Sequence, residues 1–396
     1  MIGVDEAIQR IQAAFSVLGS ESVALDKACG RVLAIDAVAK LDQPPASVSA
    51  MDGYALRLED ARDAGRALHV IGTAPAGHPF RGTVGQGQAV RIFTGGVVPD
   101  GADAILIQEN AEARGEEILT LAPATPKHIR PAGLDFRAGV TLVPAGRSLT
   151  PRDISLIAAG DLAEVIVRRK PRVAIAATGD ELSRPGEPRS QGGIVASSLY
   201  GLCAFVEKLG GEPLDLGILR DTAEAIGALP ALAGSADLII TLGGASVGDH
   251  DLVQRGLEPK GFVLDFWKIA MRPGKPLIFG RLGKTPLIGL PGNPVSAIVC
   301  AMLFVRPAVG AMLGSSREPR LLTARSTTAL AANDSRQDYI RARLEVRGGE
   351  LWAEPFRIQD SSMLSAIATA DCLLVRRPHA VPVSIGDPVS VLMLDE

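Results

Sequence analysis

Acidic residues gather at the ends of short apolar runs in the second half of the chain. Asp180 and Glu181 follow the run 173–177 through Thr178-Gly179, Asp221 follows the run 214–219, and Asp249 and Asp251 follow the run 238–242. Lys268, Arg272 and Lys275 accompany a fourth run, 263–269. Gly243, Gly244 and Gly248, with Ser246 among them, would let backbone N–H groups approach an anion closely, as phosphate loops do. Carboxylates suit Mg²⁺, which takes one or two of them together with substrate phosphates. Lysine and arginine supply charge to oxyanions. Together these residues point to a phosphorylated ligand handled with a metal.

Each piece alone has a structural reading as well. Asp180 or Asp221 serves equally as a helix cap, a glycine loop as a turn, and Lys268 as a solvent-facing strand residue. The loop 243–248 matches neither nucleotide fingerprint: G-x-G-x-x-G fails at Ala245, and the P-loop pattern fails because Asp249 follows Gly248. Gly283-Lys284-Thr285 ends like a P-loop, but Ile278 stands where its first glycine belongs. What favours a site is coincidence, since four strand ends carry such groups.

The elements that must position them alternate. Apolar runs 173–177, 214–219 and 238–242 are separated by helical stretches 197–209, closed by Gly210-Gly211, and 222–232. Runs 277–279 and 287–289 follow, and Pro291-Gly292-Asn293-Pro294 opens a long apolar helix. This pattern predicts an α/β domain with a doubly wound, mostly parallel sheet, whose ligands sit at the carboxyl ends of the strands.

Upstream, Ile8, Ile11, Phe15 and Leu18 recur at helical spacing, with Asp5 as cap and Gly19 as stop. From Gln43-Pro44-Pro45 to Pro131 the texture is β-rich, with strands at 68–71, 89–93, 104–107 and 118–121. Residues 149–159 read as helix again, with Pro151 near its start. In the tail, 339–346 and 351–355 flank Gly348-Gly349 as a hairpin, and 373–375 and 389–394 add two strands. The expected domains are a discontinuous helical linking domain (1–42 with 132–170), an inserted β-rich domain (43–131), an α/β domain (171–318) and a small C-terminal β domain (319–396).

Composition narrows the function classes. With 41 basic and 44 acidic residues the net charge is −3, which removes the easy electrostatic case for a nucleic-acid polymer and leaves only that of a local patch. Ten Phe, three Tyr and two Trp are too few for broad stacking platforms. The four cysteines are far apart and read as reduced thiols. No export signal opens the chain, and Arg306-Pro307 divides the apolar stretch 295–313 into pieces shorter than the roughly 20 residues of a bilayer span. The expectation is a soluble, cytoplasmic, multidomain protein with no membrane association.

Six motifs then occur in order: Ser49-Ala50-Met51-Asp52-Gly53-Tyr54-Ala55, Thr94-Gly95, Thr178-Gly179-Asp180-Glu181-Leu182, the Gly243–Gly248 loop, Arg272-Pro273-Gly274-Lys275-Pro276, and Gly289-Leu290-Pro291-Gly292-Asn293-Pro294. From the N-terminus through the β tail, the chain resembles the molybdopterin molybdenumtransferase family of MoeA type, whose relatives include the E domain of gephyrin. The resemblance implies an elongated homodimer of four-subdomain chains. One subdomain would be of the molybdopterin-adenylating fold and the last a small β-barrel. It implies the last general step of molybdenum cofactor biosynthesis. There, molybdate and adenylylated molybdopterin are the substrates, AMP is released, molybdenum remains on the dithiolene, and Mg²⁺ assists. The cleft would form between the sheet domain of one subunit and the inserted domain of the other.

Carried over by position, Asp52 and Thr94 would face that cleft. Glu181, Asp221 and Asp251 match functional acidic residues and would be the Mg²⁺ ligands. Lys268 and Lys275 match basic ones. Gly243, Gly244, Ser246, Gly248 and Arg272 would contact substrate, with Pro291 and Pro294 shaping the loop and Ser361 contributing from the tail. In the structural reading, Asp52 caps a turn before Gly53 and Thr94 bonds a strand end. Two departures stand out. Arg272 replaces a common lysine, and Ile194-Val195-Ala196-Ser197-Ser198 lacks the acid and the amide that relatives carry there. The implied partners are the molybdopterin-adenylating protein and acceptor molybdoenzymes. The competing readings are an adenylyltransferase-like activity and a gephyrin-like scaffold without catalysis.

Overall fold

A computed structural model describes residues 1–244, 252–315 and 320–394. It divides into two compact units, Ser22–Val167 and a larger one that joins Met1–Glu21 to the chain from Arg168 onward. In the larger unit, helix Val4–Ala13 buries Val4, Ala7 and Ile11 on one face. Gly3 is its cap, and Asp5 lies in the first turn beside Glu6, where carboxylates favour the positive helix end. The helix stops before Phe15 and Leu18 because the Leu18 N–H leaves the helical ladder and donates to the Met312 carbonyl at 2.8 Å.

The central sheet has six strands: β1 (Arg172–Thr178), β2 (Glu212–Leu219), β3 (Leu238–Leu242), β4 (Phe262–Trp267), β5 (Ile278–Leu282) and β6 (Thr285–Leu290). Their order is β2-β1-β3-β6-β5-β4. The first four are mutually parallel, and β5 and β4 complete the edge antiparallel. Every residue of β3 is buried, as an interior parallel strand covered on both faces requires. Helix Ser197–Lys208 packs Leu199, Leu202 and Val206 inward and ends before Gly210, whose φ is +82°. The expected helix over 222–232 is instead two short ones, Ala223–Gly227 and Leu229–Ala233. Pro230 lacks the N–H that would continue the first ladder.

The apolar stretch after Pro294 forms the expected long buried helix but is not divided at Arg306-Pro307. Pro294–Leu313 is one continuous helix of 20 residues, with Ala301–Val305 in π geometry. The wider turn just ahead of Pro307 accommodates a residue that cannot donate, so the proline does not divide the helix. Its length and mean hydropathy of 1.9 would suit a bilayer, but 89% of it is buried within the protein and it serves as a core helix.

The tail closes into a five-stranded barrel. Its strands are β7 (Leu321–Ser326), β8 (Gln337–Arg347), β9 (Glu350–Pro355), β10 (Cys372–Arg376) and β11 (Pro388–Met393), and the bonded ring runs β8-β9-β7-β11-β10 and back to β8. Closure depends on the length of β8, whose first half pairs with β10 and whose second half pairs with β9. The short strand Met271–Arg272 joins the outside of β8 in parallel, with Arg272 opposite Asp338.

The second unit holds a separate six-stranded sheet, ordered Ala104–Ile107, Gly53–Leu56, Gln88–Ile92, Ala67–Ala74, Glu117–Thr120, Ala111–Arg114. Its flanking segments contribute helix Pro151–Ala159, which starts with a capping box: Asp153 N–H donates to Thr150 Oγ1, and Thr150 N–H donates to Asp153 Oδ2.

Candidate functional site

The crevice end of the central sheet carries the first cluster. At the end of β1 the chain turns at Gly179, whose φ is +152°, and a Cβ there would meet the Glu181 carboxylate at 2.5 Å. Glycine therefore lets Glu181 fold back over the strand end. The Asp221 N–H, at the end of β2, donates to Asp180 Oδ1 at 3.3 Å, so the two acidic turns are joined. Burial first, then the charges of Glu181 and Asp180, push the Asp221 carboxyl above its usual range. Mutual repulsion of this kind is relieved by a cation.

Among the described residues no three His, Cys, Asp or Glu side chains stand close enough to hold a metal by themselves. The donor set nevertheless fits Mg²⁺ held partly by substrate, since hard carboxylate oxygens and phosphate oxygens are what that ion prefers. Asp251, with Ser246 and Gly248, lies outside the described residues.

Gly243 follows β3 with φ +93°, and Gly244 has φ +69°. A Cβ on Gly243 would stand 2.8 Å from the Thr178 carbonyl oxygen, so space as well as φ demands glycine. The Gly243 N–H donates to the Leu290 carbonyl at 3.1 Å, which brings this turn beside the loop opened by Pro291. Ser361 reaches the same loop from the barrel. Its hydroxyl accepts from Asn293 Nδ2 at 2.9 Å, and its carbonyl accepts from the Val295 N–H at 3.1 Å, one residue past Pro294. Arg341, only 2% exposed, holds the segment before Ser361 by donating to Gln359 Oε1 and to the Asp360 carbonyl.

The basic residues line one tight loop after β4. Lys268 N–H donates to the Leu277 carbonyl and Ile269 N–H to the Lys275 carbonyl, so Lys268 and Lys275 lie on the two bonded arms of this loop. Lys268 has φ +70°, a left-handed conformation that costs a non-glycine residue about 1–3 kcal/mol. Its ammonium sits 3.6 Å from the centre of the Trp267 ring. Arg272 is engaged differently, by a two-pronged bond to Asp338: Nε to Oδ1 at 2.9 Å and Nη2 to Oδ2 at 2.6 Å.

The turn at 194–198 has a structural duty. Ile194–Val195 pairs with Leu182–Ser183, and the Ile194 N–H donates to the Glu181 carbonyl at 2.9 Å. Helix Ser197–Lys208 has Ala196 at its N-cap, with no side-chain cap.

In the second unit, Asp52 and Thr94 meet. The strand Gly53–Leu56 pairs with Gln88–Ile92, placing both residues at one end of the pair, and Thr94 donates to Asp52 from its backbone and its hydroxyl. These two bonds hold the Asp52 carboxyl below its usual range, with a smaller contribution from the Arg91 charge. Arg91 ties the loops together. Its guanidinium lies 5.0 Å from the ring centres of Tyr54 and Phe93 and donates to the Gly53 carbonyl and to Gln108 Oε1. Arg91, Arg341 and Asp338 lie outside the motifs, and Asn293, though inside one, has no role legible there, because each acts through a partner distant in sequence.

The comparisons agree with this architecture. Residues 2–160 match the MoeA N-terminal region (domain I and II), residues 174–311 a probable molybdopterin binding domain, and residues 323–394 the MoeA C-terminal region (domain IV). The chain is 35% identical over 378 residues to the molybdopterin molybdenumtransferase of Haemophilus influenzae, covering 94% of this chain and 93% of that one. It is 37% identical to the molybdopterin molybdenumtransferase of a Nostoc species, covering 95% of this chain and 89% of the relative. Two crystal structures of a molybdopterin biosynthesis MoeA protein from Pyrococcus horikoshii superpose with TM-scores of 0.86 and 0.83 at 30% and 28% identity, covering 100% and 99% of this chain and all of theirs. With relatives this similar along nearly their whole length, and with the sheet, barrel and inserted domain all present, the chain belongs to the molybdopterin molybdenumtransferase family.

Proposed function

We propose that the chain moves molybdenum from molybdate onto the dithiolene of adenylylated molybdopterin, breaking the phosphate–phosphate link and releasing AMP. The observation that carries this reading is the convergence at the carboxyl ends of the central strands of the Asp180–Glu181–Asp221 acidic turns, the Gly243 turn and the Pro291–Pro294 loop with Ser361. Relatives of similar length bear the name of that transferase.

In this reading, Gly243 and Gly244 admit the phosphates to backbone N–H groups, and Pro291 and Pro294 keep their loop rigid beside them. Glu181 and Asp221, with Asp251, would hold Mg²⁺, which supplies neutralisation of the charge that develops on the departing phosphate. Lys268 and Lys275 face oxyanions with positive charge. Asp52 stays ionised beside Thr94, ready to accept a hydrogen bond from substrate or from a water molecule. The working form is a homodimer whose cleft takes Glu181 and Asp221 from one subunit and Asp52 from the other. A cytoplasmic location is supported by the four cysteines, all free thiols. The adenylating protein would deliver the substrate, and acceptor molybdoenzymes would receive the product.

The test mixes the protein with adenylylated molybdopterin, Mg²⁺ and molybdate. AMP release that requires molybdate supports the transferase. Consumption of ATP with free molybdopterin would instead indicate an adenylyltransferase, and neither activity would indicate a scaffold.

A further inference from the structure

Arg272 lies in the loop after β4, and its surroundings fix its side chain. The carboxylate of Asp338 takes two of its donors, Nε and Nη2, in a planar fork. Asp338 is only 9% exposed, and its backbone is registered directly opposite Arg272. The Gln337 N–H donates to the Ala270 carbonyl at 2.9 Å, so strand β8 of the barrel grips the loop on the residue before. Beyond Arg272 the loop is seated on the core helix: Gly274 has φ +106°, a Cβ there would stand 2.5 Å from Cys300 Sγ, and the Cys300 thiol faces the Gly274 carbonyl. Backbone and side chain are therefore both pinned. The guanidinium remains about half exposed; Asp334 Oδ2 also stands 3.7 Å from its Nη2, and Nη1 makes no hydrogen bond among the described residues.

We propose that Asp338 is a positioning residue, holding the Arg272 guanidinium so that its unengaged Nη1 edge presents fixed donors to the tetrahedral oxyanion substrate. This rests on the molybdate-binding reading above and deepens it. Asp338, with Asp334 at 3.7 Å beside it, offsets the charge of Arg272, so the group attracts an anion weakly from afar and acts at contact, through direction. A lysine cannot do both jobs, because its ammonium has no second edge held in a fixed plane once the first is paired.

Orientation and bare charge predict opposite outcomes when the carboxylate is removed. If Arg272 worked by charge alone, Asp338→Asn would unmask it and tighten anion binding. Positioning predicts weaker binding, because the amide offers the fork only one acceptor. The experiment titrates molybdate calorimetrically into the full chain with AMP and Mg²⁺ present. Asp338→Asn and Arg272→Lys should each raise the molybdate Kd about 10-fold, the scale of one charge-assisted hydrogen bond, and the double variant should be no worse than either single one. Unchanged or tighter binding in Asp338→Asn, additive losses in the double variant, or no molybdate binding by the wild type would overturn the proposal. Arg272→Lys keeps the buried carboxylate paired with a cation and serves if Asp338→Asn fails to fold; unaltered binding in it would equally overturn the proposal. The AMP-release assay runs in parallel on the wild type. Activity there with unaltered binding in Asp338→Asn removes the positioning role alone, whereas molybdate binding weakened by Asp338→Asn without any AMP release removes the transferase reading alone.

Discussion

Thr94 donates two hydrogen bonds to a single oxygen of Asp52, one from its backbone N–H at 2.7 Å and one from its hydroxyl at 2.8 Å. The two residues are 42 positions apart and are joined by the pairing of strands Gly53–Leu56 and Gln88–Ile92. The two hydrogen bonds hold the Asp52 carboxyl below its usual range and leave its other oxygen without a bond from Thr94.

Thr94→Val retains the backbone donor and removes the hydroxyl. The Asp52 carboxyl, now held below its usual range by both bonds, should move up when one is lost. The acid limb of the pH–rate profile for AMP release should therefore shift to higher pH, with turnover near neutrality down about 10-fold. A pH profile that superposes on the wild type would separate Thr94 from the chemistry.

Asp221 carries the opposite shift, and its sign can be followed into stability. Its carboxyl is raised above the ordinary value of 3.8, so the folded state binds that proton more tightly than the unfolded state. Stability is lost as the pH rises from 3.8 through the folded value, and the penalty persists at neutral pH. Asp221→Asn should thus raise Tm at pH 7 by about 1–2 °C, and the gain should vanish below the ordinary carboxylate range. The same substitution should lower AMP release about 100-fold. Differential scanning fluorimetry across pH checks the first half; a Tm below wild type at pH 7 would contradict it.

Asn293 and Ser361 join the loop before the last helix to the barrel. Asn293→Ala removes one hydrogen bond and leaves the Val295–Ser361 backbone bond in place. The expected loss is about 1 kcal/mol in urea unfolding, with molybdate-dependent turnover falling further than stability does. Equal turnover in the variant and the wild type would mean that the contact only staples the barrel to the helix.

The shared cleft is tested by exchanging subunits. Asp52→Ala and Asp221→Ala should each inactivate a homodimer. A mixed dimer then contains one cleft with both lesions and one with neither. Random exchange makes mixed dimers about half of the population, for an overall activity of about a quarter of wild type. Exchange verified by native mass spectrometry, with no turnover recovered, would place each cleft within a single chain.

Local sequence determined the elements whose physics is local. Continuous apolar runs marked β1 and β3 because an interior parallel strand is covered on both faces, and Gly348-Gly349 marked the barrel hairpin because both positions take positive φ. Ordered motifs determined the family and drew attention to Glu181 and Asp52, and the end of an apolar run drew attention to Asp221. Pattern misjudged places where a distant partner wins: helix Val4–Ala13 ends early because Leu18 bonds Met312, and Pro307 continues a helix because a π turn precedes it. The barrel strand Leu321–Ser326 escaped notice, since it alternates exposed and covered residues over only a short span. Only the tertiary structure decided the company of the site residues. Thr94 falls beside Asp52, Ser361 beside Asn293, and Asp338 takes two donors of Arg272 from 66 positions away. Such pairs follow from strand register and barrel closure, which depend on the whole chain having folded, so no window of sequence carries them.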